Sequence, residues 1–168
     1  AAFVLLAACA IFASVEEYKK AVELDGNNVV KRYNLGLAYY NESRHDEALD
    51  AMKKVLEINK DDKASHDKVD FSAAQIIGII YFNFKNNDDE AIKYFDRAIA
   101  MNPGDGANYF YQGLAWLRKE NYDKSAEAFA KSIEKGYDEM AEAYFRLGQS
   151  YYKKALFGDA LSNFEKCI

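Results

Sequence analysis

Four glycines recur along this chain at nearly constant intervals, and they constrain its fold more than any other feature. Gly113 follows Gly78 by 35 residues, Gly148 follows Gly113 by 35, and Gly78 follows Gly36 by 42. Self-similarity with a period of this size is typical of arrays of two-helix repeats, in which stacked neighbours bury a continuous core. The spacing therefore predicts a repeat protein built from pairs of helices.

The residues around each glycine repeat as well. An aromatic residue lies three positions after each glycine, as in Leu35-Gly36-x-x-Tyr39. About twelve residues after the glycine, a small residue is followed by a bulky one four positions later and usually by a small one after three more. These sets are Ala48/Met52/Val55, Ala91/Phe95/Ala98, Ser125/Phe129/Ser132 and Ala160/Phe164/Cys167. Spacings of three and four put each set on one face of a second helix.

This pattern resembles the tetratricopeptide repeat, whose signature is Trp-x2-Leu-Gly-x2-Tyr, then Ala-x3-Phe, then a closing proline. Tyr109 and Tyr144 fill the opening aromatic position, and Pro103 is the one closing proline. Gln112 and Ser125 depart from the signature, but their neighbours fit it. The resemblance runs from residue 14 to the end of the chain and implies an all-α fold, a right-handed α-solenoid of helix-turn-helix repeats.

The resemblance divides the chain into successive segments. Eight extra polar residues explain the 42-residue interval, and we expect a longer loop or a helical extension there. Ser14, Tyr18 and Ala21 repeat the small-aromatic-small spacing, which indicates the second helix of a partial repeat. The predicted segments are 1–13 (apolar), 14–28 (partial repeat), 29–62 (repeat), 63–70 (insertion), 71–105 (repeat), 106–140 (repeat) and 141–168 (a repeat that we expect to be truncated).

Residues 1–13 contain no polar or charged side chain. Such a run fits the core of a signal peptide, or a membrane anchor that would need further upstream residues. Leu6-Ala7-Ala8-Cys9 also resembles the lipoprotein box of bacteria, in which the cysteine is lipidated. We therefore expect a membrane-associated or exported protein, in the bacterial periplasm or outer membrane if Cys9 is lipidated. The remaining alternative is a packed first helix of the array in a cytoplasmic protein.

Few residues suggest chemistry at a catalytic or metal site. His45 and His66 are the two histidines, and no pair of histidines or Cys-x-x-Cys spacing suits a metal. Ser65-His66-Asp67 does not form a catalytic triad, because side chains adjacent in sequence do not converge on one substrate atom. No glycine-rich phosphate loop occurs either. We predict a protein without enzymatic activity, cofactor or metal.

The charge balance narrows the class of partner. The formal net charge is −5 and the isoelectric point is near 5.1. An acidic chain does not attract the phosphates of nucleic acids or anionic lipids. We therefore expect a protein or peptide partner, with no nucleic acid, and membrane association only through residues 1–13.

In the family that the chain resembles, positions 2, 5, 9 and 12 of each repeat line a concave groove. Leu37, Ile79 and Leu114 occupy position 9, which is often polar in the family, and so predict an apolar groove for a helix or extended segment. The chain's own terminal helix is the rival occupant. The predicted groove residues are Tyr33, Leu37, Tyr40, Gln75, Ile79, Phe82, Phe110, Leu114, Leu117, Phe145, Gln149 and Tyr152.

Chaperone-binding members of the family hold a terminal carboxylate with Lys, Asn and Arg side chains at five groove positions. This chain carries Tyr33, Leu37, Ile76, Ala107 and Tyr111 there, which disfavours a co-chaperone. Cations near the last repeats predict an acidic contact instead, and they are Arg118, Arg146 and Lys153. The sequence thus predicts a scaffold that binds a partner helix or peptide. The alternative is a structural subunit integrated permanently in a larger membrane complex.

Overall fold

A computed structural model describes residues 14–58 and 67–167 of the chain. Over these ranges the backbone forms nine α-helices and no strand, which confirms the predicted all-α fold of helix-turn-helix repeats. The chain divides into two compact units, residues 1–69 and 70–168. The helices are α1 (Val15–Leu24), α2 (Val29–Asn41), α3 (His45–Ile58), α4 (Asp67–Asn83), α5 (Asp88–Met101), α6 (Gly106–Arg118), α7 (Tyr122–Glu134), α8 (Met140–Lys153) and α9 (Phe157–Glu165).

In the first unit, α1 packs on α2 and α2 packs on α3. The buried side of α3 carries the predicted small and bulky residues, among them Ala48, Met52 and Val55, which are fully buried. A Cβ atom added at Gly36 of α2 would lie 2.9 Å from Cε of Met52. Glycine is needed here because the α2 backbone lies directly against that side chain.

The second unit repeats this contact between its paired helices. Ideal Cβ atoms at Gly78 and Gly113 would lie 2.7 Å and 2.8 Å from the rings of Phe95 and Phe129. Real Cβ contacts are not this short, so each glycine lets a first helix approach the bulky residue of its second helix. From α5 to α9 every helix packs against the next one in the chain, and α6 also contacts α8. The regular spacing of the glycines in the sequence thus corresponds to a helix-helix contact that is repeated along the structure.

The turn inside each repeat uses one backbone arrangement. A single residue in the left-handed region ends each first helix: Ser43 (φ 60°), Asn86 (φ 49°), Glu120 (φ 58°) and Ala155 (φ 59°). The amide of the following residue donates to the carbonyl of the aromatic residue after the glycine. These bonds are Arg44 to Tyr39 (2.9 Å), Asn87 to Tyr81 (3.0 Å), Asn121 to Trp116 (2.9 Å) and Leu156 to Tyr151 (3.0 Å). Such bonds satisfy carbonyls that a helix end leaves without a partner.

The predicted insertion ends in a helix. Asp67–Asp70, the end of the predicted insertion, belongs to α4. This helix is 17 residues long, so the insertion is in part a helical extension. Residues 63–66 lie outside the described ranges.

The spacing of Ser14, Tyr18 and Ala21 predicts that Ser14 lies inside a packed helix. It instead is the exposed N-cap of α1, with its hydroxyl accepting from the amide of Glu17 and its own amide donating to the Glu17 carboxylate at 2.7 Å. Its side chain is used for capping rather than for helix packing.

The predicted apolar segment 1–13, with Cys9, lies outside the described residues. Within residues 14–58 and 67–167, no helix combines the length and apolarity needed to cross a bilayer.

Candidate functional site

The first helices of the second unit lie side by side. The Phe82 ring of α4 lies 6.5 Å from the Tyr111 ring of α6, in an edge-on orientation, and α6 contacts α8. These helices carry nine of the twelve predicted groove residues. We use the name first-helix face for the surface formed there by Ile79, Phe82, Leu114, Leu117 and Gln149.

Leu114 and Leu117 lie on the exposed side of the core in the third repeat. Both are half-buried and pack against a buried cluster that includes Phe129 of α7 and Leu147 of α8. Ile79 and Phe82 of α4 are half-buried in the same way, as is Gln149 of α8. An aliphatic side chain that is fixed by the core yet partly open to solvent can bind an apolar partner at a small cost in side-chain conformational entropy, because it is already ordered.

Phe110 does not belong to this face, which corrects the sequence prediction. Its side chain is only 5% exposed, and its ring stacks on Tyr137 with centroids 4.5 Å apart. Phe129 also contacts it edge-on at 5.5 Å. Tyr137 follows α7 five residues after Ser132, where the preceding repeat has Pro103 five residues after Ala98. An aromatic ring in place of the closing proline therefore covers Phe110, and burial raises the pKa of Tyr137 to about 12.

The predicted groove residues at the edges of the second unit differ in exposure. Gln75 of α4 is half-buried. Phe145 and Tyr152 of α8 are 42% and 58% exposed, and their rings contact Phe164 and Phe157 of α9 at 5.7 Å and 5.6 Å. Of the predicted groove residues, those with the most exposed side chains are thus on α8.

In the first unit, the three predicted groove residues Tyr33, Leu37 and Tyr40 are half-buried on α2. The Tyr40 ring lies 5.9 Å from the ring of His45, which begins α3. His45 therefore takes part in the packing at the turn between α2 and α3. His66 and Ser65 lie outside the described residues.

The cations predicted to contact an acidic partner are differently placed. Arg118 is engaged within the chain: its Nε donates to Asp88 at 2.8 Å, its Nη2 donates to the carbonyl of Phe82 at 2.9 Å, and its guanidinium lies 4.1 Å from the centre of the Phe82 ring. Arg146 donates to Glu142 at 2.7 Å and to Gln149 at 3.2 Å. Lys153 is exposed. Arg118 and Arg146 therefore each pair with a carboxylate of the chain itself, and their contact with an acidic partner stays a prediction.

Two further ion pairs between repeats were not predicted from the sequence. Lys119 Nζ lies 2.7 Å from Asp89, and Lys154 Nζ lies 2.6 Å from Asp123. In both pairs a lysine six residues after the glycine bonds to an aspartate two residues before the small residue of the preceding second helix. This shared register was the available signal, and it links one repeat to the next.

The described part of the chain contains no group of three or more His, Cys, Asp or Glu side chains that could hold a metal ion.

Comparisons with known proteins find matches to the repeats described above. Three models of the tetratricopeptide repeat match residues 32–62, 85–138 and 141–168. Over 156 residues the chain is 26% identical to the protein STIP1 homolog of Dictyostelium discoideum, covering 92% of this chain and 26% of that protein. Over 86 residues it is 29% identical to the Hsp70-Hsp90 organising protein of Plasmodium falciparum, covering 48% of this chain and 15% of that protein. The chain spans about a quarter or less of the length of these curated relatives.

Solved structures show the same likeness. A crystal structure of MamA superposes with a TM-score of 0.80 at 29% identity, covering 91% of this chain and 84% of that one. YrrB, described as a TPR protein with an unusual peptide-binding site, superposes with a TM-score of 0.75 at 23% identity, covering 92% and 74%. At that lower identity the likeness to YrrB concerns the fold alone.

Proposed function

Because this chain belongs to the tetratricopeptide repeat family, we propose that it is a non-enzymatic scaffold that binds a helix or extended segment of another protein on the first-helix face of its second unit. The family and its relatives support a protein-interaction role in general. The choice of face and of an apolar partner is our inference from the side chains.

The observation that carries the proposal is the row of half-buried aliphatic side chains on adjacent first helices. Leu114 and Leu117 on α6 pack against the buried cluster, and these two leucines and Ile79 on α4 are all half-buried and so partly open to solvent. Burying the remaining apolar area contributes about 25 cal/mol per Å². A partner helix with apolar residues at i, i+3 or i+4, and i+7 presents a stripe that matches such a row.

The names of the curated relatives raise the alternative of a chaperone organiser that binds a terminal carboxylate. In the second unit the corresponding positions hold Ile76, Ala107 and Tyr111, and Tyr111 stacks on Phe95 at 5.8 Å. Ile76 and Ala107 have no side-chain donor, and none of the three is a cation that could pair with a carboxylate when it leaves water. The geometry therefore favours an apolar segment over a charged chain terminus.

A peptide-display selection against the whole chain tests the proposal. The variant Ile79→Asn/Leu114→Asn/Leu117→Asn serves for counter-selection, and each recovered peptide is then measured by titration calorimetry. Peptides with an apolar stripe should lose at least about tenfold in affinity for the triple variant, which corresponds to about 1.4 kcal/mol. Recovered peptides that bind both proteins equally would remove this face from the mechanism.

A matched control replaces a leucine elsewhere. Leu161→Asn on α9 makes the same chemical change at a side chain that is 60% exposed, and affinity should be retained. Circular dichroism is used to check that both variants remain helical. The same peptides with a free or an amidated C-terminus separate the carboxylate alternative, since only a carboxylate-binding protein would lose affinity on amidation.

A permanent subunit of a larger membrane complex is the second candidate. Exposed apolar side chains on α9 favour it, since Phe157 and Leu161 are 61% and 60% exposed. Membrane association or export stays a prediction that rests on the apolar residues 1–13. Intact mass and detergent partitioning of the native protein test it: a chain that begins at a diacylated Cys9, or that enters the detergent phase, supports it, and an unmodified chain in the aqueous phase contradicts it.

A further inference from the structure

A second concave site lies on another side of α6 from Leu114 and Leu117. It is a cleft of about 290 Å³ between α5, α6 and α7, within the second unit. Its floor is formed by Tyr109, Gln112 and Trp116, which follow one another along one side of α6 at spacings of three and four. The cleft is therefore separate from the first-helix face and from the function proposed for it.

The preceding repeat shows why this space is open. There Tyr94 of α5 stacks on Tyr81 of α4, with centroids 5.9 Å apart and ring planes 19° apart. Trp116 is the counterpart of Tyr81, because each lies three residues after the glycine of its repeat. Ala128 is the counterpart of Tyr94, because each lies three residues after the small residue of its second helix. Ala128 lines the cleft. The repeat that holds Trp116 thus lacks the ring that its neighbour stacks on the corresponding tyrosine.

The other repeats also differ from this one at the polar side chains of the cleft. Gln112 replaces an aliphatic residue found at this register elsewhere (Leu35, Ile77 and Leu147), and Lys124 replaces an acidic one (Glu47, Glu90 and Asp159). Gln112 Nε2 donates to Asp96 at 2.5 Å, and Lys124 Nζ lies 4.3 Å from the centre of a Trp116 ring. Two departures from the chain's own pattern, Gln112 and Lys124, therefore meet in one place.

We propose that this cleft accepts an aromatic side chain of a partner protein, which stacks against Trp116 beside Ala128 as Tyr94 stacks on Tyr81. The volume is just below that of pockets for small organic ligands and suits a single side chain. Lys124 and Lys131 repel a cationic guest and Asp96 and Glu127 repel an anionic one, and two charges of each sign leave neither guest a net attraction. A neutral ring gains from stacking and from apolar burial without meeting either repulsion.

Trp116 is the one tryptophan of the chain, so its indole N–H gives a single identifiable nuclear magnetic resonance signal. The probe is the peptide acetyl-Gly-Tyr-Gly-amide, titrated into the whole chain beside the same peptides with Leu or Arg in the centre. The tyrosine peptide should shift the indole signal saturably, and the Leu and Arg peptides should bind about threefold to tenfold more weakly. Equal shifts with all three peptides, no saturable shift, or preference for Arg would overturn the proposal.

Ala128→Tyr fills the cleft from within and should abolish the saturable shift. The position accepts tyrosine in the preceding repeat, so the variant is expected to fold. An independent measurement needs no variant: ring protons of the bound tyrosine peptide should show nuclear Overhauser effects to the Ala128 methyl group and the Trp116 indole. Absence of these effects at saturation would contradict the assignment.

The variant Leu114→Asn/Leu117→Asn separates this site from the first-helix face. It should leave the indole titration unchanged, because both leucines lie on another side of α6. Loss of the tyrosine-peptide shift in this variant would show that the cleft is not an independent site.

Discussion

Ser125 Oγ of α7 lies 2.9 Å from Ser150 Oγ of α8, and both serines are fully buried. Each hydroxyl is also within hydrogen-bond distance of a carbonyl, Ser125 of Gly113 at 3.1 Å and Ser150 of Arg146 at 2.9 Å. Ser125 stands where Ala48, Ala91 and Ala160 stand in the other repeats. The departure from the small apolar residue therefore creates a polar link between two repeats.

A double-mutant cycle tests this link. Ser125→Ala and Ser150→Ala should each lower the free energy of unfolding by about 0.5–1.5 kcal/mol, the net value of a buried hydrogen bond. The double variant should lose about 0.5–1 kcal/mol less than the sum, because the second hydroxyl removed has already lost its partner. Urea denaturation gives all four values, and strict additivity would show that the two hydroxyls are not coupled.

Ser132 provides the matched control for this cycle. Its hydroxyl is fully buried and has no hydrogen-bond partner among residues 14–58 and 67–167. Ser132→Ala should leave stability unchanged or raise it, since a buried hydroxyl without a partner costs free energy.

The glycine that meets Phe129 should not tolerate a methyl group. In Gly113→Ala the new Cβ would lie 2.8 Å from the Phe129 ring, and the resulting displacement should cost about 1–3 kcal/mol. Gly158→Ala is the control, because no atom lies within 4 Å of its added Cβ and alanine is the better helix former, by up to about 1 kcal/mol. Thermal unfolding distinguishes the two, and an equal change in both variants would contradict the packing assigned to Gly113.

Arg118 should stabilise the junction between the second and third repeats. Arg118→Ala removes the bonds to Asp88, whose side chain is 15% exposed, and to the carbonyl of Phe82. We expect a loss of about 1 kcal/mol that shrinks in high salt. Lys153→Ala changes the same register one repeat later, at an exposed side chain, and should cost less. The comparison requires unfolding curves at low and high ionic strength; equal losses for both variants would argue against the Arg118 tie.

Asp96 should make stability depend on pH. Burial raises the pKa of its carboxyl above the ordinary value of 3.8, with the Gln112 bond and the Lys124 charge opposing that rise. The unfolded chain releases the proton at the ordinary value and the folded chain at a higher one, so this group lowers stability as the pH rises through that interval. Asp96→Asn keeps an oxygen that can accept from Gln112 and removes the ionisation.

The stability gained by Asp96→Asn should therefore be small at about pH 3 and reach a plateau near neutral pH. Urea midpoints of both proteins across this range give the difference directly. A difference that is independent of pH, or that is largest in acid, would show that the carboxyl is not destabilised by burial.

The helices and their contacts could be predicted from sequence because they depend on spacings within one repeat. The glycine and the bulky residue it meets, such as Gly113 and Phe129, are 16 residues apart in each case that lacks an extra turn residue. Side-chain period and residue size suffice for such contacts. Ile79, Leu114 and Leu117 were predicted as groove residues from the family's positions 9 and 12, carried over through the same register.

Contacts between repeats were the part that the sequence predictions missed. Phe110 is buried because Tyr137 replaces a proline, and a family pattern does not state what covers a position when its neighbour changes. The bond between Arg118 and Asp88 was missed because the two residues lie 30 positions apart, in different repeats. The cleft beside Trp116 was missed because it is formed by side chains of three helices, and the small size of Ala128 alone does not indicate a cleft.

The four turns with a left-handed residue also indicate where a label can be attached or new chain ends introduced. Their geometry comes from a backbone amide that donates to the preceding aromatic carbonyl, while the left-handed residue itself varies among Ser, Asn, Glu and Ala. The turn at Asn86 carries one residue more than the others and still forms this bond to Tyr81. These loops are therefore natural places for a fluorophore, an affinity tag or new chain ends, because added length there leaves both the first-helix face and the Trp116 cleft in register.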